Sequence, residues 1–276
     1  MNNFLLAVRS SFGFLSTIPV GLTMEGLDEF FKRTYLHILV GAVLGLLMGA
    51  FSFLAMMTLP QQINAILTIV FVYYLTGLNH LDGLADFGDG ATAHGSVEKK
   101  IRALKDVALG IGGVGFCTMG ILAFYSSIIS LQSEALVFSG NDIFNAAKIL
   151  FCSMLVAEVS AMQCMLTIAA FGKSIHEGLG SILVQNTTIP KYVVGLFGSV
   201  VICSLALVPF GLWYGGLIAL TAAIISALVV LNISNRHFGG MNGDVIGTSN
   251  EVGRTVALIM IVLVLSYHNG GIAWML

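Results

Sequence analysis

Long apolar runs separated by short polar interruptions dominate this chain of 276 residues. A helix crosses a bilayer with about 20 apolar residues, and seven stretches approach or exceed that length. They run from Tyr35 to Leu59, Ile63 to Leu78, Val107 to Leu131, Ile143 to Ala170, Tyr192 to Pro209, Leu212 to Leu231 and Thr255 to Ile272. Pro60 with Gln61 and Gln62, and Pro209 with Gly211, turn consecutive spans back on one another. The N-terminal stretch Phe4 to Met24 is also apolar, but Arg9, Ser10, Ser11, Gly13 and Pro19 interrupt it and no small-residue cleavage site follows. It reads as an interfacial or re-entrant helix. The pattern predicts an all-α fold: a polytopic membrane helix bundle of about seven transmembrane helices plus that N-terminal helix, with residues 1–276 forming a single integral-membrane domain.

Composition agrees. Hydrophobic residues make up 57% of the chain and charged residues 9%, against roughly 25% charged in a soluble domain. A net charge of −2 and the lack of basic runs interleaved with aromatics argue against nucleic acid as a partner. Cys117, Cys152, Cys164 and Cys203 form no C-x-x-C pair, so neither zinc nor a disulfide framework is indicated.

Lys and Arg accumulate on the cytoplasmic side of membrane proteins. With the N-terminus inside, Arg9, Lys32, Arg33, Lys99, Lys100, Arg102, Lys105, Lys173, Lys191, Arg236 and Arg254 all fall on or near that side, and only Lys148 lies near the other. This orientation makes the outer loops short. It leaves longer polar loops inside at Leu81 to Asp106, Gly172 to Pro190 and Asn232 to Arg254.

Those inner loops carry the residues capable of chemistry. In HLDGLADFGDG, His80 to Gly90, Asp82, Asp86 and Asp89 stand at i, i+4 and i+7, which places three carboxylates on one helical face. Their repulsion is relieved by a divalent cation, and an all-oxygen set suits Mg²⁺ or Mn²⁺. Gly83, Gly88 and Gly90 each cost a helix about 1 kcal/mol relative to Ala; they are expected to let a phosphate approach the backbone. The Gly-rich segment from Asn235 to Glu251, with Asp244, Asn250 and Glu251, is expected to form a backbone nest and to complete the cation site. Glu158 lies deep in the fourth span, where an ionisable group is functional by default. Asp106, at the start of the third span, reads by itself as a helix cap.

Carboxylates and glycines converging on one membrane face favour metal-held pyrophosphate chemistry. A transporter, with Asp82, Asp86, Glu158 and Asp244 lining a cation pathway, is the rival reading; its ionisable residues would be expected near the bilayer midplane. A CDP-alcohol phosphotransferase is disfavoured, because Asp82-Gly83-Leu84-Ala85 continues into Asp86 rather than the Arg of that class's opening motif.

The chain resembles the cobalamin synthase family, the adenosylcobinamide-GDP ribazoletransferases. The likeness rests on FLSTIP from Phe14 to Pro19, GLNHLDGLADFGDG from Gly77 to Gly90, LKDVALGIGGVG from Leu104 to Gly115, HEGLG from His176 to Gly180, and GGMNGDVIGTSNE from Gly239 to Glu251. Two positions depart from the family pattern: Lys105-Asp106 is followed by Val107 and Ala108 instead of Ser-Arg, and a mid-span Arg is absent near Ser160 and Glu158. The resemblance implies that a hydroxyl of α-ribazole, or of its 5′-phosphate, attacks the cobinamide-side phosphorus of adenosylcobinamide-GDP and releases GMP. It further implies Mg²⁺ held by Asp82, Asp86, Asp89 and Asp244, with one aspartate, Asp82 foremost, or His80 as the base. Lys105 would steady the departing phosphate, Asn250 and Glu251 would help complete the metal or ribazole pocket, and Asp106 and Gly243 are further candidates for substrate binding. A cell membrane location with the site on the cytoplasmic face follows, with the lipid bilayer as partner and an oligomer left open.

Overall fold

The structure, a computed structural model, describes residues 2–271. Among the described residues it is helical throughout, apart from connections and one isolated bridge between Ser174 and Met241. Two short helices, α1 (Asn3–Leu15) and α2 (Met24–Phe31), pack on each other at the N-terminus. They precede α3 (Leu36–Thr58), α4 (Gln61–Thr76), α5 (Asn79–Thr92), α6 (Val97–Leu104), α7 (Ile111–Phe138) and α8 (Ile143–Phe171). After these come α9 (Leu179–Asn186), α10 (Ile189–Ala206), α11 (Trp213–Phe238) and α12 (Gly243–His268).

Six of these helices, α3, α7, α8, α10, α11 and α12, are long and apolar enough to cross a membrane, and α4 with α5 raises the count to seven if that bent pair is one span. The molecule is therefore a polytopic helical bundle. The seventh expected span begins earlier than its apolar run, because α12 starts at Gly243; the expected end at Ile272 lies outside the described residues.

At the centre is α8, with 83% of its most apolar window buried against 22% for α7. The close approach of α3 to α8 depends on Gly41, Gly45 and Gly49, spaced four apart. A Cβ at Gly45 would lie 2.9 Å from Leu155 Cα, and one at Gly49 2.6 Å from the Phe151 carbonyl oxygen. In a bilayer, where apolar surface gains nothing by leaving lipid, backbone proximity of this kind drives helix association.

The corner between α4 and α5 bends by 95°. Gly77 and Leu78 make it with φ of 70° and 62°, the left-handed region that Gly enters without cost and Leu enters at about 1–2 kcal/mol. The carbonyls freed at the end of α4 find donors in the segment after α1: Thr17 N–H donates to Leu75 at 2.8 Å and its hydroxyl to Tyr74 at 2.7 Å. Thus α5 leaves the line of the span and lies across the end of the bundle, between α7 and α12.

The long inner loops expected from the sequence are largely helical. The first contains α5 and α6, the second contains α9, and the third shrinks to Gly239–Asn242 between α11 and α12. Polar and glycine-rich sequence resembles a loop, but here it lines contacts between helices.

Candidate functional site

Despite its glycines, α5 runs unbroken from Asn79 to Thr92, because neighbouring helices replace the packing that side chains would supply. A Cβ on Gly83 would stand 2.8 Å from the Asp244 carbonyl oxygen, and one on Gly88 2.8 Å from that of Gly112. Gly90 is closed off by Phe238 and Leu104. The expectation that these glycines open the backbone to phosphate is therefore corrected: they let α5 dock tightly. The Thr248 hydroxyl ties the joint, bonding to the Gly83 carbonyl at 3.0 Å and to that of Asp244 at 2.7 Å.

Docking in this way sets the carboxylates apart. Both oxygens of Asp89 accept backbone N–H groups, from Gly110 at 2.7 Å and Gly113 at 2.8 Å, so this residue caps the start of α7. Asp82 is exposed and Asp86 half-buried, and neither side chain has a hydrogen-bond or ion-pair partner among the described residues. Asp244, on the first turn of α12, takes a 2.6 Å bond from the Asn242 amide. Burial, and then the carboxylates of Asp244, Asp82 and Asp89, push Asp86 up to about 7. No group of three or more His, Cys, Asp or Glu is assembled closely enough to hold a metal ion among the described residues. The donor chemistry nevertheless fits a hard divalent cation: Asp82, Asp86 and Asp244 offer only oxygen, and they repel one another strongly enough to shift a proton equilibrium.

Asn250 and Glu251 point elsewhere. They belong to a buried cluster around Arg254, whose side chain is fully enclosed. Its guanidinium donates to Glu158 at 2.8 Å, Glu251 at 2.8 Å and Asn250 at 2.6 Å, while the Tyr73 hydroxyl donates to Glu251 at 3.0 Å. Arg254 is thus not an interfacial positive charge, as its place in the sequence suggested, but the counter-ion of Glu158. That pairing also removes Glu158 from any open ion pathway. No local motif announces this pairing, because Glu251 and Arg254 precede the apolar run that marks the last span.

Between this cluster and the aspartates lies His80, 8% exposed, with its Nδ1 lacking any partner. Burial lowers its imidazole to about 4, so the ring is neutral. Lys105, exposed at the end of α6, and His176 lie close enough for their charges to act on Asp244. Asp106 bonds the Ala108 N–H at 3.0 Å and closes a local turn. Gly243 is exposed as the first residue of α12.

Gly243, Asp244 and His80 also border a cavity of about 350 Å³ that sequence reasoning did not anticipate. Its apolar wall comes from Phe14, Phe31, Met165 and Leu183, on four different helices. No local motif marks it, because each of those side chains reads as ordinary core.

A family model described as Cobalamin-5-phosphate synthase matches residues 7–262. Among curated proteins, the chain is 54% identical to an adenosylcobinamide-GDP ribazoletransferase of Methanococcoides burtonii over 99% of each chain. It is 51% identical to that of Methanosarcina mazei over the full length of both, and 33% identical to that of Halorubrum lacusprofundi over 98% of each. No solved structure matches the chain. The matches take in the α5 aspartates and the start of α12 together with the bundle that joins them, and the chain belongs to the cobalamin-5-phosphate synthase family.

Proposed function

We propose that the protein is an adenosylcobinamide-GDP ribazoletransferase, acting at the junction of α5 and α12. A hydroxyl of α-ribazole, or of its 5′-phosphate, attacks the cobinamide-side phosphorus. A new P–O bond forms, the bond to the bridging oxygen breaks, and GMP departs with that electron pair. The observation that carries this reading is the pair of unpartnered carboxylates, Asp82 and Asp86, on a docked helix, in a chain whose relatives bear that name along its whole length.

Asp82, Asp86 and Asp244 would hold Mg²⁺, with Asp89 keeping α7 against the site. Bound there, Mg²⁺ would offset the charge of the pyrophosphate and of the departing GMP. A neutral, buried His80 accepts a hydrogen bond from one ribose hydroxyl of the acceptor and so aims the other, while Asp82, exposed and unpaired, receives the proton of the attacking hydroxyl. Lys105 steadies the leaving phosphate, and Asp106 shapes the turn that presents it. Asn250 and Glu251 contribute from behind the site, both by fixing Arg254. The site faces the cytoplasm in the cell membrane, in keeping with the basic residues on its side of the sequence.

The test is to supply both substrates to detergent-solubilised protein, where no gradient exists. Appearance of GMP and the cobalamin product supports the enzyme; no turnover under these conditions refutes it. Full turnover in excess chelator would sink the metal assignment alone. For orientation, a cysteine replacing Gly140, in the turn after α7, is expected to react with an impermeant reagent added outside intact cells.

A further inference from the structure

From the cavity beside His80 we infer that the aromatic base of the acceptor nucleoside is seated there, with its ribose turned toward His80 and Asp244. The inference rests on the proposed ribazoletransferase reading and adds to it a location and a recognition chemistry.

The cavity's size, about 350 Å³, falls at the lower end of the ~300–1,000 Å³ typical of small-molecule pockets. That volume suits a bicyclic base with its sugar and is far too small for a corrin ring with its side chains. The composition is segregated by element. Helices α1, α2, α8 and α9 contribute apolar side chains and one glycine, among them Phe14, Phe31, Met165 and Leu183. The polar groups, Asn79, His80 and Asp244, all come from α5 and α12, the helices that carry the aspartates. Once joined to its sugar a benzimidazole keeps a single polar ring atom, an imine nitrogen that accepts one hydrogen bond, so aromatic and thioether walls suit nearly all of its surface. Guanine in the same slot would set its amide edge and exocyclic amine against the Phe14, Phe31, Met165 and Leu183 wall unless both reached the polar end, and each group left unbonded there costs about 1–3 kcal/mol. The cavity therefore selects the acceptor's base over the donor's.

At the polar end, His80 supplies the second, independent observation. Its Nδ1 is buried without a hydrogen-bond partner. A neutral imidazole nitrogen left unpaired at the edge of a ligand-sized cavity is completed by a hydroxyl, which can donate or accept, and a nucleoside brings one on its ribose. Asp244 borders the cavity and also acts on Asp86, so a ribose at this end lies beside the carboxylates proposed to hold the pyrophosphate.

The experiment uses the full chain in detergent. Leu179 borders the cavity but is 52% exposed, so Leu179→Trp intrudes on the slot without disturbing the core; Ile246→Phe narrows it from α12. We expect either variant to raise KM for α-ribazole at least tenfold, with KM for adenosylcobinamide-GDP unchanged, and to weaken α-ribazole binding measured by titration calorimetry by a similar factor. Unaltered thermal unfolding shows that the variants remain folded. His80→Gln should lower kcat more than it raises KM for α-ribazole, since it removes the hydroxyl's partner and leaves the slot intact. If Leu179→Trp weakens GMP binding and spares α-ribazole, the slot takes guanine and the inference is overturned; unchanged KM for α-ribazole in both cavity variants overturns it as well. Failure of the wild-type chain to transfer ribazole at all would refute the underlying function instead.

Discussion

Two groups of carboxylates stand on opposite sides of His80, and the chain treats them in opposite ways. Glu158 and Glu251 are buried and closed by Arg254, with Tyr73 and Asn250 filling further bonds. Asp82 and Asp86 are nearer the surface and have no cation of their own, although Lys105 lies within electrostatic reach of Asp244. An inward set balanced by the protein's own charge holds helices together. The outward set is left to repel itself and, in the function proposed above, a cation from solution completes it. Burial of an ionisable group marks function poorly here, and lack of an internal partner marks it better.

The comparison can be broken at several points. Asp82→Ala is expected to lower ribazole transfer by roughly 10³-fold, the scale of losing a group that acts on transition-state charge, with unfolding changed by no more than about 0.5 kcal/mol; steady-state rates and thermal melts in detergent check both halves. Arg254→Met should do the reverse in kind. Leaving two buried carboxylates unpaired costs about 3–5 kcal/mol, read as a large fall in melting temperature, and adding Glu158→Gln should recover part of it. Gly83→Ala couples the two regions, because its methyl group meets the Asp244 backbone at 2.8 Å; overpacking of this kind costs about 1–3 kcal/mol and should reduce activity by displacing α5 from α12.

The smallest effect is a pH dependence. Asp86 has an ordinary value of 3.8, raised to about 7 in the folded chain. Between those values the folded state keeps a proton that the unfolded state has released. Without divalent cations, stability should therefore fall as pH rises through that window. Melting curves across it in chelator should show the slope, and either Mg²⁺ or Asp86→Asn should flatten it. A slope that persists in Asp86→Asn would assign the titration to another group.

The spans were legible in the sequence because lipid imposes a simple rule: about 20 apolar residues in a row. The ends of α3 and α8 fall within a residue of the apolar runs that predicted them. Legibility failed where that rule stops. Gly83, Gly88 and Gly90 read as breaks or openings, since a sequence does not show that Asp244, Gly112 and Phe238 will press against them. Arg254 read as an interfacial charge because its partner Glu158 is 96 residues away. The aspartates were found by spacing alone, and the helix they predict is present. Their division of labour was not, because the N–H groups that claim Asp89 belong to another helix. The walls of the acceptor cavity are scattered over separate elements, and only the fold collects them.

The joint between α5 and α12 has a consequence for the order of assembly. The Thr248 hydroxyl meets the Gly83 carbonyl across 165 positions of chain, so a growing polypeptide finishes its aspartate helix long before the surface that receives it exists. Until α12 enters the membrane, α5 can lie against α6 and α7, but the face around Gly83 has nothing to close it. The site is thus among the last features to form during synthesis, and a chain that stops short of α12 would insert most of its spans yet be unable to build it.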